Sequence, residues 1–568
     1  MFERLPRTAL DLLDWPWSRI EPYFRDLEDR PLSAETVEQW LLDWSRLEDL
    51  ITEGARRLYI ATTRDTSDRT LSDRYHTYLS DINEPARHAE QRLREKLIAS
   101  GLSVPGFEIP LRNMRSDAAL FHEANVPLLT EERKLINTYE HLVGSQTIHW
   151  EGEERTPYQM RRVYLDPDRD RRERAWRMVI ERQLVDRERI NALWTQFLRL
   201  RTRLAHQAGY PDFRAYQWNV MRRFDYTPAD CETFHKAIEA VAVPAAARIC
   251  ARRRQRMGLE TLRPWDLDVD PLGREPLHPF HDVGDLIARC EVIFGHVDPQ
   301  FAEYFAVLRR EGMLDLDNRK HKAGGGYQEE LPAARMPFIF MNAVGIHDDV
   351  QTLLHEGGHA FHSFEMAGLP YSHQRDLGME IAEVASMTME LLAAPYLTED
   401  YGGFYTPAQA RRARIAHLEE MILFWPYMAV VDAFQHWAYT HVEEAVQPGA
   451  SEAKWSELYR RFLPDEDFSG LEDALAIRWH RLPHPFDSPF YYVEYGLAQM
   501  GAVQIWHNSM EDAHRAVQQY RYMLSLGGTR SLPELYAAGG ARFAFDAETL
   551  QSCVAVIEAE IARLESAA

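Results

Sequence analysis

Nowhere in this sequence do 18 or more apolar residues run together, so no conventional membrane-spanning helix is expected. The opening stretch MFERLPRTALDLLDWPWSRIEPYF lacks the sustained apolar core that a secretory leader needs, and the protein is read as cytoplasmic, with no membrane partner. Cysteine is scarce. Cys231, Cys250, Cys290 and Cys553 are widely scattered and form no C-x-x-C pair, which indicates neither a disulfide framework nor a thiolate zinc motif. They read as small buried apolar residues. Basic charge is in deficit, with 65 Lys and Arg against 88 Asp and Glu and a net charge of −23. Phosphate binding needs a basic footprint, so no nucleic acid is an expected partner, and anionic membranes are disfavoured too. The absence of an internal period, a low-complexity tract or a long heptad run excludes solenoids and coiled coils.

What is present points to a large, mainly α protein. Hydrophobic residues make up 45% of the chain, enough to build cores, and 568 residues are too many for one ordinary core, so two lobes are expected. Residues 36 to 66, 131 to 145, 170 to 208 and 410 to 446 carry apolar side chains at three-to-four spacing among Arg, Glu and Asp. Pro and Gly are dense at 262 to 280 and 312 to 335, which read as connecting loops. A boundary is expected near 165 to 172, where acidic capping residues precede a new helix; it divides a helical region, 1–168, from residues 169–568. Met336 to Val344, short and apolar between turn residues, reads as a strand, and Pro337 suggests that it lies at a sheet edge.

His355-Glu356-Gly357-Gly358-His359 carries the most chemical information. Two imidazoles four residues apart share one helix face and can grip one zinc ion, with the intervening glutamate placed to act as a base on water. Asp348 could cap that helix and Gln351 close a capping box. Gly357 and Gly358 each cost up to about 1 kcal/mol inside a helix, which implies the close approach of substrate or another backbone. A catalytic zinc needs a third protein ligand. His362 lies seven residues beyond His355, about 10 Å along the axis and too far for one ion, which suits packing or an outer role better. Glu380 and Glu383, one turn apart in a helix expected from Asp376 to about Leu392, can each reach the metal.

HEGGHAFH, followed 24 residues after His359 by Glu383 within Ala382-Glu383-Val384-Ala385-Ser386, resembles the thimet oligopeptidase and oligoendopeptidase F family of zinc peptidases, in particular its Pz-peptidase-like branch. The basic, glycine-containing segment Arg319 to Tyr327 is similar to a family loop, although its triple glycine departs from the usual form. His484 to Gly496 resembles the family's histidine and tyrosine segment. The likeness runs in order of motifs over roughly residues 170 to 560.

The resemblance implies a catalytic region at 169–568, a gluzincin-type zinc helix beside a small β-sheet, and two helical lobes around a deep channel. It selects Glu383 over Glu380 as third ligand to one Zn2+ per chain. It also implies Glu356 as general base, and His484, Tyr492 and Tyr495 as residues facing the metal, with Tyr491 competing with Tyr492. The implied activity is zinc-dependent hydrolysis of internal bonds in short peptides. A helical zinc carboxypeptidase using Arg478 or Arg481 for the terminal carboxylate, and a non-catalytic peptide-binding scaffold, are the alternatives.

Overall fold

A computed structural model of the chain describes residues 1–120 and 122–566. They are mainly helical and divide into two compact units, each assembled from three separate stretches. Met1–Ala119, His278–Arg414 and Ala498–Phe543 form the first; Leu120–Leu277, Ile415–Leu497 and Ala544–Ala568 form the second. Both units draw on chain from either side of residue 168. Among the described residues no helix is long and apolar enough to cross a membrane.

The expected helices form. Val37–Arg64 buries Trp40, Trp44, Leu47 and Leu58 at helical spacing in the core of the first unit. Arg169–Val185 starts where Asp168 accepts hydrogen bonds from the N–H groups of Asp170 and Arg171. In the second unit, Trp194, Phe434, Trp479 and Phe486 pack ring against ring around helix Arg187–Gln207.

The sheet of the first unit differs from expectation. Part of the segment read as loop, 312 to 335, supplies two strands, Leu314–Asp317 and Tyr327–Leu331, and Met336–Ala343 lies between them. The edge strands are thus Leu314–Asp317 and Tyr327–Leu331, and the polar Tyr-Gln-Glu-Glu sequence of the latter hides its extended conformation. Pro337 is tolerated centrally because pairing with Leu314–Asp317 begins only at Ile339, whose N–H reaches Met313 O. Backbone N–H groups alternate in direction along a strand, so the donor missing at Pro337 points beyond the end of its neighbour. Behind the sheet, Ile60 of helix Val37–Arg64 packs with Leu331, Phe338 and Phe340.

Candidate metal centre

The chain turns from the central strand into a helix, His347–Met366, that carries both motif histidines. Its N-cap is Ile346, not Asp348, and Asp349 in the first turn reaches back: Asp349 Oδ2 accepts the N–H groups of Val344, Gly345 and Ile346 at 2.8, 2.8 and 2.9 Å. Gly345, at φ +88°, provides the left-handed turn that folds these donors around one oxygen.

The two motif glycines admit close neighbours. A Cβ on Gly358 would stand 2.6 Å from Ser386 Cα and 2.7 Å from Ala385 O, and one on Gly357 would stand 2.6 Å from Phe294 Cζ. The second helix, Met379–Ala393, therefore approaches the first at backbone distance, and this brings Glu383 to the histidines. Beside this contact the Tyr520 hydroxyl donates to Ala385 O at 2.6 Å.

His355, His359 and Glu383 offer three ligand atoms that all lie within 4.8 Å of one another. Glu383 Oε2 is 3.3 Å from His355 Nε2 and 3.8 Å from His359 Nε2. Ser386 Oγ donates to the same oxygen at 3.0 Å, and His355 Nδ1 meets Glu390 Oε1 at 2.7 Å. Glu390 was missed in the sequence; its only signal is a position two helical turns after Glu383, on the same face. Such a carboxylate fixes the ring so that the opposite nitrogen is free for a metal. Glu380 is also buried but lies near Tyr536. His362 is outside the cluster, a buried ring whose two nitrogens have no hydrogen-bond partner among the described residues.

The electrostatics suit a cation. Although burial opposes it, hydrogen bonds to Glu383 and Glu390 hold His355 well above its ordinary range. Burial pushes His359 down to about 4, keeping it a neutral donor of its lone pair. Burial would raise Glu383, yet the hydrogen bond from His355 and the two nearby imidazoles hold it at about 2. Two imidazoles facing anionic carboxylates, with room between three donor atoms, fit a divalent zinc-type ion. Glu356, between the ligands, is buried, and its Oε2 has no hydrogen-bond partner among the described residues. Burial lifts its carboxyl to about 7, partly offset by His355 and by a backbone hydrogen bond from Gln328 on the edge strand.

The tyrosine segment belongs to the second unit. His484 opens a short helix ending at Asp487, and the tyrosine helix is Tyr492–Glu511. Phe490, at φ +70°, cannot continue a right-handed helix; its N–H is taken by Gln435 Oε1 at 2.8 Å and its carbonyl by Arg223. The His484 ring lies 4.8 Å from Tyr492, 5.6 Å from Tyr491 and 6.2 Å from Tyr495. Tyr491 and Tyr495 are partly exposed and 5.0 Å apart, whereas Tyr492 is buried and its phenol is pushed far up by burial. Arg478, one cation considered for a terminal carboxylate, packs over the rings of Tyr459 and Phe468.

Comparison with known proteins places this arrangement in a family. The oligoendopeptidase F homolog of Borreliella burgdorferi is 26% identical over 250 residues, 42% of this chain and 41% of that protein. Oligopeptidase PepF of Bacillus subtilis is 24% identical over 236 residues, 40% of this chain and 34% of that one. The chain thus spans less than half the length of the curated relatives it matches. The structure of Pz peptidase A with inhibitor 2 superposes with a TM-score of 0.87 at 26% identity, covering 99% of both chains. The model of peptidase family M3 matches residues 163–555, a stretch that holds both motif helices and the tyrosine segment, and the chain belongs to that family.

Proposed function

We propose that this protein is a zinc-dependent oligoendopeptidase that cleaves internal bonds of short, unstructured peptides in the cytoplasm. The observation that carries the reading is the convergence of His355, His359 and Glu383 on one point beside the buried, unpartnered Oε2 of Glu356. His355, His359 and Glu383 would hold one zinc per chain. Zinc in such a setting supplies a Lewis acid for the scissile carbonyl and for water.

Glu356 takes the proton of the attacking water and returns it to the departing amine. Burial raises its carboxyl above the ordinary range, which favours a group that must both accept and release a proton. Glu390 keeps the His355 ring in register. The roles of His484, Tyr492 and Tyr495 as donors to the developing oxyanion rest on the family resemblance; one well-placed donor is worth a few kcal/mol. Tyr492 stays protonated at neutral pH, as a donor must. In sequence terms, residues 1–168 are an N-terminal helical region and 169–568 carry the catalytic machinery.

An internally quenched peptide of about ten residues, blocked at both ends, tests the reading. Internal cleavage located by mass spectrometry, absent in Glu356→Gln and after chelation, is expected. Trimming of unblocked peptides alone, one C-terminal residue at a time, would replace it with the carboxypeptidase alternative.

A further inference from the structure

The second unit contains another convergence of metal-binding side chains. Cys231 and His235 lie four residues apart on helix Pro228–Met257, and Asp432 and His436 lie four apart on helix Pro407–Thr440. Each pair has the spacing of the motif histidines. Cys231, Asp432 and His436 present ligand atoms all within 4.8 Å of one another, and all three are buried, Asp432 completely.

Two polar atoms of this cluster lack hydrogen bonds among the described residues. Asp432 Oδ1 has no partner. His436 Nε2, 3.3 Å from Asp432 Oδ2, is too far off line to donate to it. An unpaired carboxylate oxygen in the interior is unfavourable unless something occupies the space before it. His235 Nε2 lies 2.7 Å from Oδ2 and fixes the carboxylate from outside, as outer-shell groups do around bound metals. Trp218 and Phe490 flank His436 and give the cluster apolar walls.

We propose that Cys231, Asp432 and His436 form a second metal site, built for a zinc-type divalent transition ion, with His235 orienting the carboxylate. A thiolate, an imidazole and a carboxylate select such an ion over magnesium or calcium, which take oxygen ligands, and the two anionic ligands balance its charge. Arg214 Nη1 sits 3.2 Å from His436 Nδ1. When Nε2 is a ligand, Nδ1 carries the proton, and Arg214 pairs with Glu232, already 3.5 Å away. The site has no counterpart of Glu356. Its role is to pin two long helices together, one of which, through Gln435, holds Phe490 ahead of the tyrosine helix.

Cobalt(II) titration of the chelator-treated full-length protein tests this. Thiolate coordination gives cobalt a near-ultraviolet charge-transfer band that the His355, His359 and Glu383 set cannot produce, so the readout is independent of the catalytic reading. The expected result is the band in the wild type and in His355→Ala, and its loss in Cys231→Ser together with one equivalent of cobalt. A variant retaining Cys231 as its sole cysteine should keep the band, which guards against misfolding of the serine variant. His235→Ala should weaken cobalt binding at this site about 10–100-fold. Absence of the band in the wild type, or its loss in the sole-cysteine variant, would overturn the proposal and leave a metal-free hydrogen-bonded cluster.

Discussion

The centre at His355 and the cluster at Cys231 share one elementary pattern, two metal-binding side chains four apart on a helix completed by a third from a second helix, in different surroundings. At the first, the side chains of His355 and His359 are 25% and 16% exposed, and Glu356 waits between them with a free oxygen. At the second, His436, Asp432 and Cys231 are buried, with Trp218 and Phe490 against His436 and with His235 hydrogen-bonded to Asp432. Accessibility and a third functional group, more than the ligand spacing, separate a site for chemistry from one for architecture.

Four experiments sharpen or break this contrast. Glu356→Gln should lower kcat/KM by roughly 10²- to 10⁴-fold while cobalt uptake at both sites is unchanged; Cys231→Ser, assayed alongside, should lower the melting temperature more than the turnover. Comparable catalytic losses in the two variants would erase the distinction. Glu390→Gln should weaken metal binding at the first centre about 10–100-fold, followed by chelator competition, and leave the thiolate band untouched.

Gly358→Ala is expected to cost about 1–3 kcal/mol in chemical denaturation, because the backbone of Ser386 cannot yield as a side chain could. The alanine's better helix propensity offsets only part of this.

The smallest effect concerns acid. Burial depresses His480 in the second unit and His362 in the first to about 3. A histidine depressed in the folded state contributes stability above its unfolded pKa of about 6.5, and that contribution is lost as pH falls toward 3. Melting temperatures of the metal-free protein should therefore fall as pH drops below about 6.5. His480→Asn should flatten the trend, and an unchanged slope would show that His480 takes no part.

Much of this was legible beforehand. The motif histidines are close in sequence, so one helix settles their geometry, and family resemblance chose Glu383. The backbone contact at Gly358 was foreshadowed by two glycines in a helix. Glu390 was not legible, since a carboxylate two turns along a helix is usually a solvated one. Nor was the Cys231 cluster, whose two halves are separated by roughly two hundred residues and meet only through tertiary packing. The sheet was half visible: its apolar central strand stood out, whereas its polar edge resembled a loop.

The brace of Tyr520 on Ala385 has a consequence for the order in which the protein comes into being. The ribosome releases Glu383 about 140 residues before Tyr520, an interval of roughly ten seconds or more at ordinary elongation rates. Until then the helix bearing the third ligand lacks this hydrogen bond. The first unit, drawn from three separate stretches of polypeptide, is in this way completed only near the close of synthesis.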